Sequence, residues 1–161
     1  MRPSAVTWIF VICMLCSGAY LSGVASTGDA VESAQERSLL ALTNAERTKA
    51  GLSPLRAAPI LSRAARAHAA NMAHQQKLDH TLDGKTFAQR IADTGYSASA
   101  VGENIAQAGN DPGEAIAIWM KSPTHKDNLL NPGYHEIGVG IAVDAKGLVY
   151  YTLIFAAPAM R

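Results

Sequence analysis

The side chains with the widest chemical range in this 161-residue chain are five histidines, His68, His74, His80, His125 and His135, together with Glu103 and Glu136. Glu103 stands between Gly102 and Asn104, with apolar Val101 and Ile105 outside them, so its backbone is expected to be buried. A buried carboxylate must be paired or hydrogen-bonded, because isolation in an apolar setting costs several kcal/mol. Two readings stay open: a framework ion pair, or an acid that works. His80, in Leu78-Asp79-His80-Thr81, falls on a loop after a predicted helix, and His125 falls in the first turn of another. There the helix dipole disfavours imidazolium and keeps the ring neutral. Neutral imidazole is the form that binds metal or accepts a proton. Two such rings and a carboxylate match a tetrahedral zinc site that keeps one water position open. The three lie more than twenty residues apart, so local spacing alone does not bring them together.

The remaining candidates read as framework. His68 shares an apolar stripe with Leu61, Ala65 and Met72, the pattern of a packed core histidine, whereas His74 falls off that stripe and reads as solvated. His135 and Glu136 point to opposite faces of a strand, which makes Glu136, beside Ile137-Gly138-Val139-Gly140, a buried structural anion. Asn44, Arg47 and Arg90 are the available partners for such anions. No glycine-rich phosphate loop, His-Glu-x-x-His helix or Gly-x-Ser-x-Gly elbow occurs. No organic cofactor is therefore expected, and no separate nucleophile stands out.

The elements that must position these groups are legible from apolar spacing and punctuation. A helix is expected over Val31–Ala50 with a stop at Gly51, and an alanine-rich one over Ile60–Leu78. Asp83-Gly84 marks a turn, Phe87–Asp93 a short helix stopped by Gly95, and Ser97–Ala108 an extended or irregular stretch. Asp111-Pro112-Gly113-Glu114 has the form of a capping box and opens a helix bearing Ile118 and Trp119. Ser122-Pro123 starts another, with Ser122 as N-cap, and Asn131-Pro132-Gly133 ends it. Alternating stretches Glu136–Val143 and Leu148–Phe155, joined by Asp144-Ala145-Lys146-Gly147, predict a β-hairpin. Helices first and strands last point to an α+β domain with helices packed on a small antiparallel sheet.

Compartment follows from the first residues. Arg2, the apolar run Val6–Leu15 and the small residues Gly23-Val24-Ala25 compose a signal peptide over 1–25, with cleavage expected after Ala25. Its apolar core is shorter than the roughly 20 residues of a bilayer span. The alternative is a retained N-terminal anchor. A lead over 26–38, including the start of the first helix, then precedes a domain over 39–156. Cys13 and Cys16 both lie in the signal segment, and neither has the preceding residues of a lipoprotein signal. The exported chain would carry no disulfide, thiol nucleophile or thiolate ligand. It would also be close to neutral, because Arg2 is the one charged side chain before Asp29 in a chain with 14 Lys and Arg against 13 Asp and Glu. Nothing in that balance seeks nucleic acid or an anionic surface. A secreted or periplasmic protein is expected, without a transmembrane span once the signal is removed.

Ordered blocks then give the sequence a resemblance. Leu42-Thr43-Asn44-Ala45-Glu46-Arg47, Pro54-Leu55, Ala64–Ala73 and His80 are similar to the opening of a bacterial CAP domain. That superfamily comprises the cysteine-rich secretory proteins, antigen 5 and the pathogenesis-related proteins. Gly102-Glu103-Asn104-Ile105 resembles its Gly-Glu-Asn signature, and Trp119–Leu130 with Glu136–Gly140 resembles the bacterial form of its later signatures. The likeness runs from about Leu39 to Phe155. It implies an α-β-α sandwich and a cleft in which His80, Glu103 and His125 converge. The fuller eukaryotic pattern has a second Glu three residues after the helix tryptophan; here that position is Ser122, which leaves a triad. The eukaryotic cysteines and cysteine-rich extension are absent as well.

Three functions are compatible with these residues. One is a binding module holding zinc or another divalent cation through His80, Glu103 and His125. The second is a hydrolase of peptide or cell-envelope substrates, with Glu103 or a histidine activating water. The third binds a lipid, a peptide or another extracellular or envelope partner, with the cluster partly structural.

Overall fold

Ser33 caps the first described helix. Its hydroxyl accepts the Glu36 N–H at 3.1 Å while the Glu36 carboxylate takes the Ser33 N–H at 2.7 Å, closing a capping box on α1 (Ala34–Lys49). The structure, a computed structural model, describes residues 32–159. The expected signal segment 1–25 and the first part of the lead 26–38 lie outside the described residues. Helix α1 stops where Gly51 takes a positive φ of 73°. A two-residue strand, β1 (Arg56–Ala57), follows between Pro54 and Pro59, too short to show alternation in the sequence.

Helix α2 (Pro59–Gln75) begins with proline in its first turn, and Gln76 ends it in the left-handed region at φ 52°. The expected helix to Leu78 is thus cut short, because the Lys77 N–H turns back to Met72 O at 3.0 Å and closes the end. Helix α3 (Phe87–Ala92) is opened by a Thr86–Gln89 capping box. Ser97–Ala108, read as extended or irregular, is a strand over most of its length: β2 (Ala98–Ala108). Helices α4 (Pro112–Lys121) and α5 (Pro123–Leu129) meet at Ser122. Two local expectations fail there. The Glu114 carboxylate bonds the Gly109 N–H at 2.9 Å, so the box with Asp111 is not closed; Asp111 alone caps, accepting from Gly113 N–H at 2.9 Å. Ser122 occupies the N-cap position of α5, but its hydroxyl makes no capping bond.

The hairpin of β3 (Glu136–Val143) and β4 (Val149–Pro158) is antiparallel, and β2 adds antiparallel to β4. With β1 parallel to β3, the strand order is β1-β3-β4-β2. The fold is the expected α+β sandwich, with the parallel β1 as an addition at one edge.

Alternation along the strands sorts the core into two layers. Ile137 and Val139 of β3, with Tyr151, Leu153 and Phe155 of β4, pack against Leu39, Trp119 and Leu129 from α1, α4 and α5. The opposite parity, Ile154 and Ala156, meets Leu61, Ala64 and Ala65 of α2 and Ile91 of α3. On that face β3 presents Gly138 and Gly140. A Cβ on either would lie 2.2 Å from a carbonyl carbon of α2, Leu61 or Ala65 respectively, so helix and strand touch backbone to backbone. Strand β2 is sorted the same way: Ile105 packs with Met72 of α2, while Ala106 joins Trp119 on the other face.

Candidate binding cleft around Glu103

The Gly102-Glu103-Asn104 stretch of β2 puts three different demands on adjacent positions. Gly102 has no room for a side chain, since a Cβ would stand 2.6 Å from the Tyr134 hydroxyl. Asn104, wholly buried, reaches towards α5: its Nδ2 donates to the His125 carbonyl at 2.9 Å and its Oδ1 accepts from Asn128 Nδ2 at 2.9 Å. Asn128 also donates to the Glu103 carbonyl at 3.4 Å, and Trp119 Nε1 to the Ile105 carbonyl at 2.9 Å. The outer edge of β2 is thereby satisfied by side chains of α4 and α5 in place of another strand.

Glu103, one residue out of phase with Asn104, faces the α2 and α3 side. Its side chain is fully buried, and both oxygens are engaged. Oε2 accepts from Arg90 of α3 at 2.6 Å, and Oε1 lies 2.8 Å from His80 Nδ1. Arg90 does more than neutralise the carboxylate: it also donates to the backbone carbonyls of His80 and Lys85, at 2.8 and 2.9 Å. One guanidinium therefore fixes the carboxylate and the loop that carries His80. The His80 side chain remains 44% exposed. Its Nε2 has no protein partner among the described residues.

His68 is the member that sequence reasoning placed elsewhere. It is buried, as the stripe on α2 predicts, but its Nε2 also lies 3.9 Å from Glu103 Oε1. Neither ring nitrogen has a hydrogen-bond partner among the described residues. Burial pushes its pKa down; Glu103 opposes that, and Arg90 and His80 add to it. The Asp79 backbone also favours the charged form, but it meets neither ring nitrogen in hydrogen-bond geometry.

His125 stands apart from this set. It is half-buried, with Nδ1 enclosed and without a partner among the described residues, and is not bonded to Glu103. Its pKa is lowered chiefly by burial and further by the charge of His80, which identifies His80 as its electrostatic neighbour. Of the three expected ligands, Glu103 and His80 are bonded to each other, and His125 is not bonded to either. Among the described residues no group of three histidine, cysteine or acidic side chains is close enough to hold a metal ion. Glu103 is committed to Arg90 and His80; the imidazoles of His80 and His125 are the groups left to offer.

The framework candidates resolve individually. Glu136 is a buried anion, paired with Arg56 and accepting from the Tyr96 hydroxyl at 2.6 Å. Burial, followed by that bond and the Glu136 charge, pushes the Tyr96 pKa well up. Arg47 is not an anion's partner. Wholly buried, it donates to the backbone carbonyls of Ser53, Leu129, Asn131 and Tyr134 and so ties α1 to the segment after α5. Asn44 likewise brackets the backbone of Leu55, donating to its carbonyl at 3.1 Å and accepting its N–H at 2.8 Å. His74 and His135 are exposed. Among the described residues no helix is long and apolar enough to cross a membrane.

The profile of CAP, the cysteine-rich secretory protein family, matches residues 40–155. The protein YkwD of Bacillus subtilis is 41% identical over 110 residues, which is 67% of this chain and 42% of that protein. This chain therefore spans less than half of that relative. An extracellular SCP-domain protein of Bacillus anthracis superposes with a TM-score of 0.71 at 26% identity, covering 78% of this chain and 41% of that one. An outer surface protein of Borrelia burgdorferi gives a TM-score of 0.71 at 24% identity, covering 76% and 92% of the two chains.

Proposed function

The chain belongs to the CAP family, and on that premise we propose that it is an exported binding module whose cleft takes a divalent cation, zinc first, between the imidazoles of His80 and His125. One observation carries the reading: Glu103 holds His80 Nδ1 at 2.8 Å, which fixes the ring while its other nitrogen has no partner among the described residues. A carboxylate bonded to the far nitrogen of a metal-ligating histidine sets its tautomer and raises its basicity. Glu103 then orients a ligand and is not itself one. When bound, zinc would supply a Lewis-acidic centre open to solvent or to a partner's donor atoms. Export rests on the signal segment expected over residues 1–25, and the extracellular protein of B. anthracis that this chain resembles supports the same compartment.

The hydrolase reading gains nothing from this geometry, since a carboxylate engaged by a guanidinium and an imidazole is poorly placed to activate water. Calorimetry with zinc chloride on the purified chain, freed of metal beforehand, tests the proposal. Zinc affinity should vanish in a His80→Ala/His125→Ala variant and fall roughly 10–100-fold in Glu103→Gln. Unchanged affinity in the double variant would overturn it and leave the cleft a framework for lipid or partner binding.

A further inference from the structure

Two imidazoles face the same oxygen of Glu103. His80 Nδ1 lies 2.8 Å from Oε1 on a partly exposed ring, and His68 Nε2 lies 3.9 Å from it on a side chain with no exposure. His68 has no part in the cation site described above. Both its nitrogens are enclosed without hydrogen-bond partners among the described residues, although at least one of them carries a proton. Burial favours the neutral ring, which has a single N–H to place. An enclosed N–H without an acceptor is unfavourable, and such a group in a packed core calls for a reason.

Two acceptors compete for that proton. One is the Asp79 backbone, one residue before His80, and the other is Glu103 Oε1. Capacity and charge both favour Glu103. A carboxylate oxygen can accept twice; Oε1 meets His80, while Arg90 is bonded to Oε2. A bond to a charged acceptor is also roughly twice as strong as one to a neutral carbonyl. The distance exceeds an ordinary N–H···O bond by about 1 Å, which rotation of the Glu103 side chain or the His68 ring can close. Helix α2 need not move, and its backbone contact with β3 holds it where it is.

We propose that His68 is a positioning residue of the cleft: its Nε2–H donates to Glu103 Oε1 and keeps the carboxylate in place from within while His80 takes up or releases a ligand. This role rests on Glu103 orienting His80, and extends that chain of contacts one residue inward. A fixed helix thus supplies an unmoving donor to a carboxylate whose other imidazole sits on a loop.

The test is a long-range ¹H–¹⁵N correlation of the imidazole rings in the labelled, metal-free chain, above the ordinary histidine pKa. His68 should show the Nε2–H tautomer. His80→Ala leaves Oε1 to His68 alone and should move the His68 Nε2–H proton downfield. Zinc chloride titration then reads the consequence for the cleft. His68→Leu keeps the bulk without a donor and should lower affinity about 3–10-fold, less than the loss of the Glu103 charge. His68→Gln, whose amide N–H can stand in for Nε2–H, should restore most of it. Should His68→Leu not fold, the tautomer and the His80→Ala shift decide. The Nδ1–H tautomer, a His68 proton indifferent to His80→Ala, or zinc affinity unchanged in a folded His68→Leu variant would overturn the proposal. Absence of zinc binding in the unaltered chain would count against the cation reading alone, since both ring measurements are made without metal.

Discussion

Asn104 Nδ2 donates to the backbone carbonyl of His125 at 2.9 Å, and this bond joins the strand that carries Glu103 to the helix that carries His125. The two sides of the cleft are thus registered through a buried amide whose neighbour in sequence is the central carboxylate. Asn104→Ala should remove this bond and the one from Asn128, destabilising the fold by roughly 1–3 kcal/mol. Urea denaturation gives the magnitude. The amide resonances of α5 should shift in the same variant, more than those of α1.

Arg90 and Glu103 form a nearly dry ion pair, with side-chain exposures of 13% and 0%. Arg90→Met strands the carboxylate and should cost about 3–5 kcal/mol. Adding Glu103→Leu should recover most of that, since removing both charges avoids the unpaired one. A double-mutant cycle by equilibrium denaturation measures the coupling; additive losses would refute it.

Gly138 and Gly140 stand where a Cβ would penetrate the α2 backbone. Gly140→Ala must push helix and sheet apart and should lose about 3 kcal/mol or more, beyond ordinary overpacking. Gly133→Ala, where the added carbon would meet only the Asn131 side chain, should be far milder. Thermal unfolding of the two variants side by side checks the contrast.

Acid sensitivity follows from His68. Its pKa is lowered in the fold, so it stays neutral there while the unfolded chain takes a proton below about pH 6.5. The unfolded state then binds more protons, and stability rises with pH across this window. The contribution is complete above the ordinary histidine value and lost as pH falls towards the lowered one. His125 acts in the same direction. In His68→Gln the stability loss between pH 7 and roughly 5.5 should shrink but not disappear, as read by urea midpoints at each pH.

Helical spacing and capping residues located α1, α2, α3 and the hairpin, because each depends on contacts a few residues apart. What they could not supply is which element covers a given face. The stripe on α2 correctly buried His68, but no repeat along that helix says that Glu103, 35 residues later, lies opposite it. Arg90 was recognised as a partner for a buried anion without the anion being identified. Arg47 went astray for a related reason: a buried guanidinium can be satisfied by carbonyls as well as by a carboxylate, and backbone acceptors leave no trace in residue type. His125 is tied to the strand of Glu103 through its backbone carbonyl, a link that residue type does not reveal.

The backbone contact of α2 with β3 has a consequence for how the cleft can adapt. With no side chain between Gly138, Gly140 and the helix, α2 has little room to slide or rotate on the sheet, and His68 is carried rigidly with it. Freedom is left to the segment after Gln76, where Leu78 is exposed and His80 is held by Arg90 at its carbonyl and by Glu103 at its ring. The cleft therefore has one immovable jaw and one sprung one. An occupant would be admitted by the yielding of the Arg90 and Glu103 tethers on His80, and the fold around them would hold still.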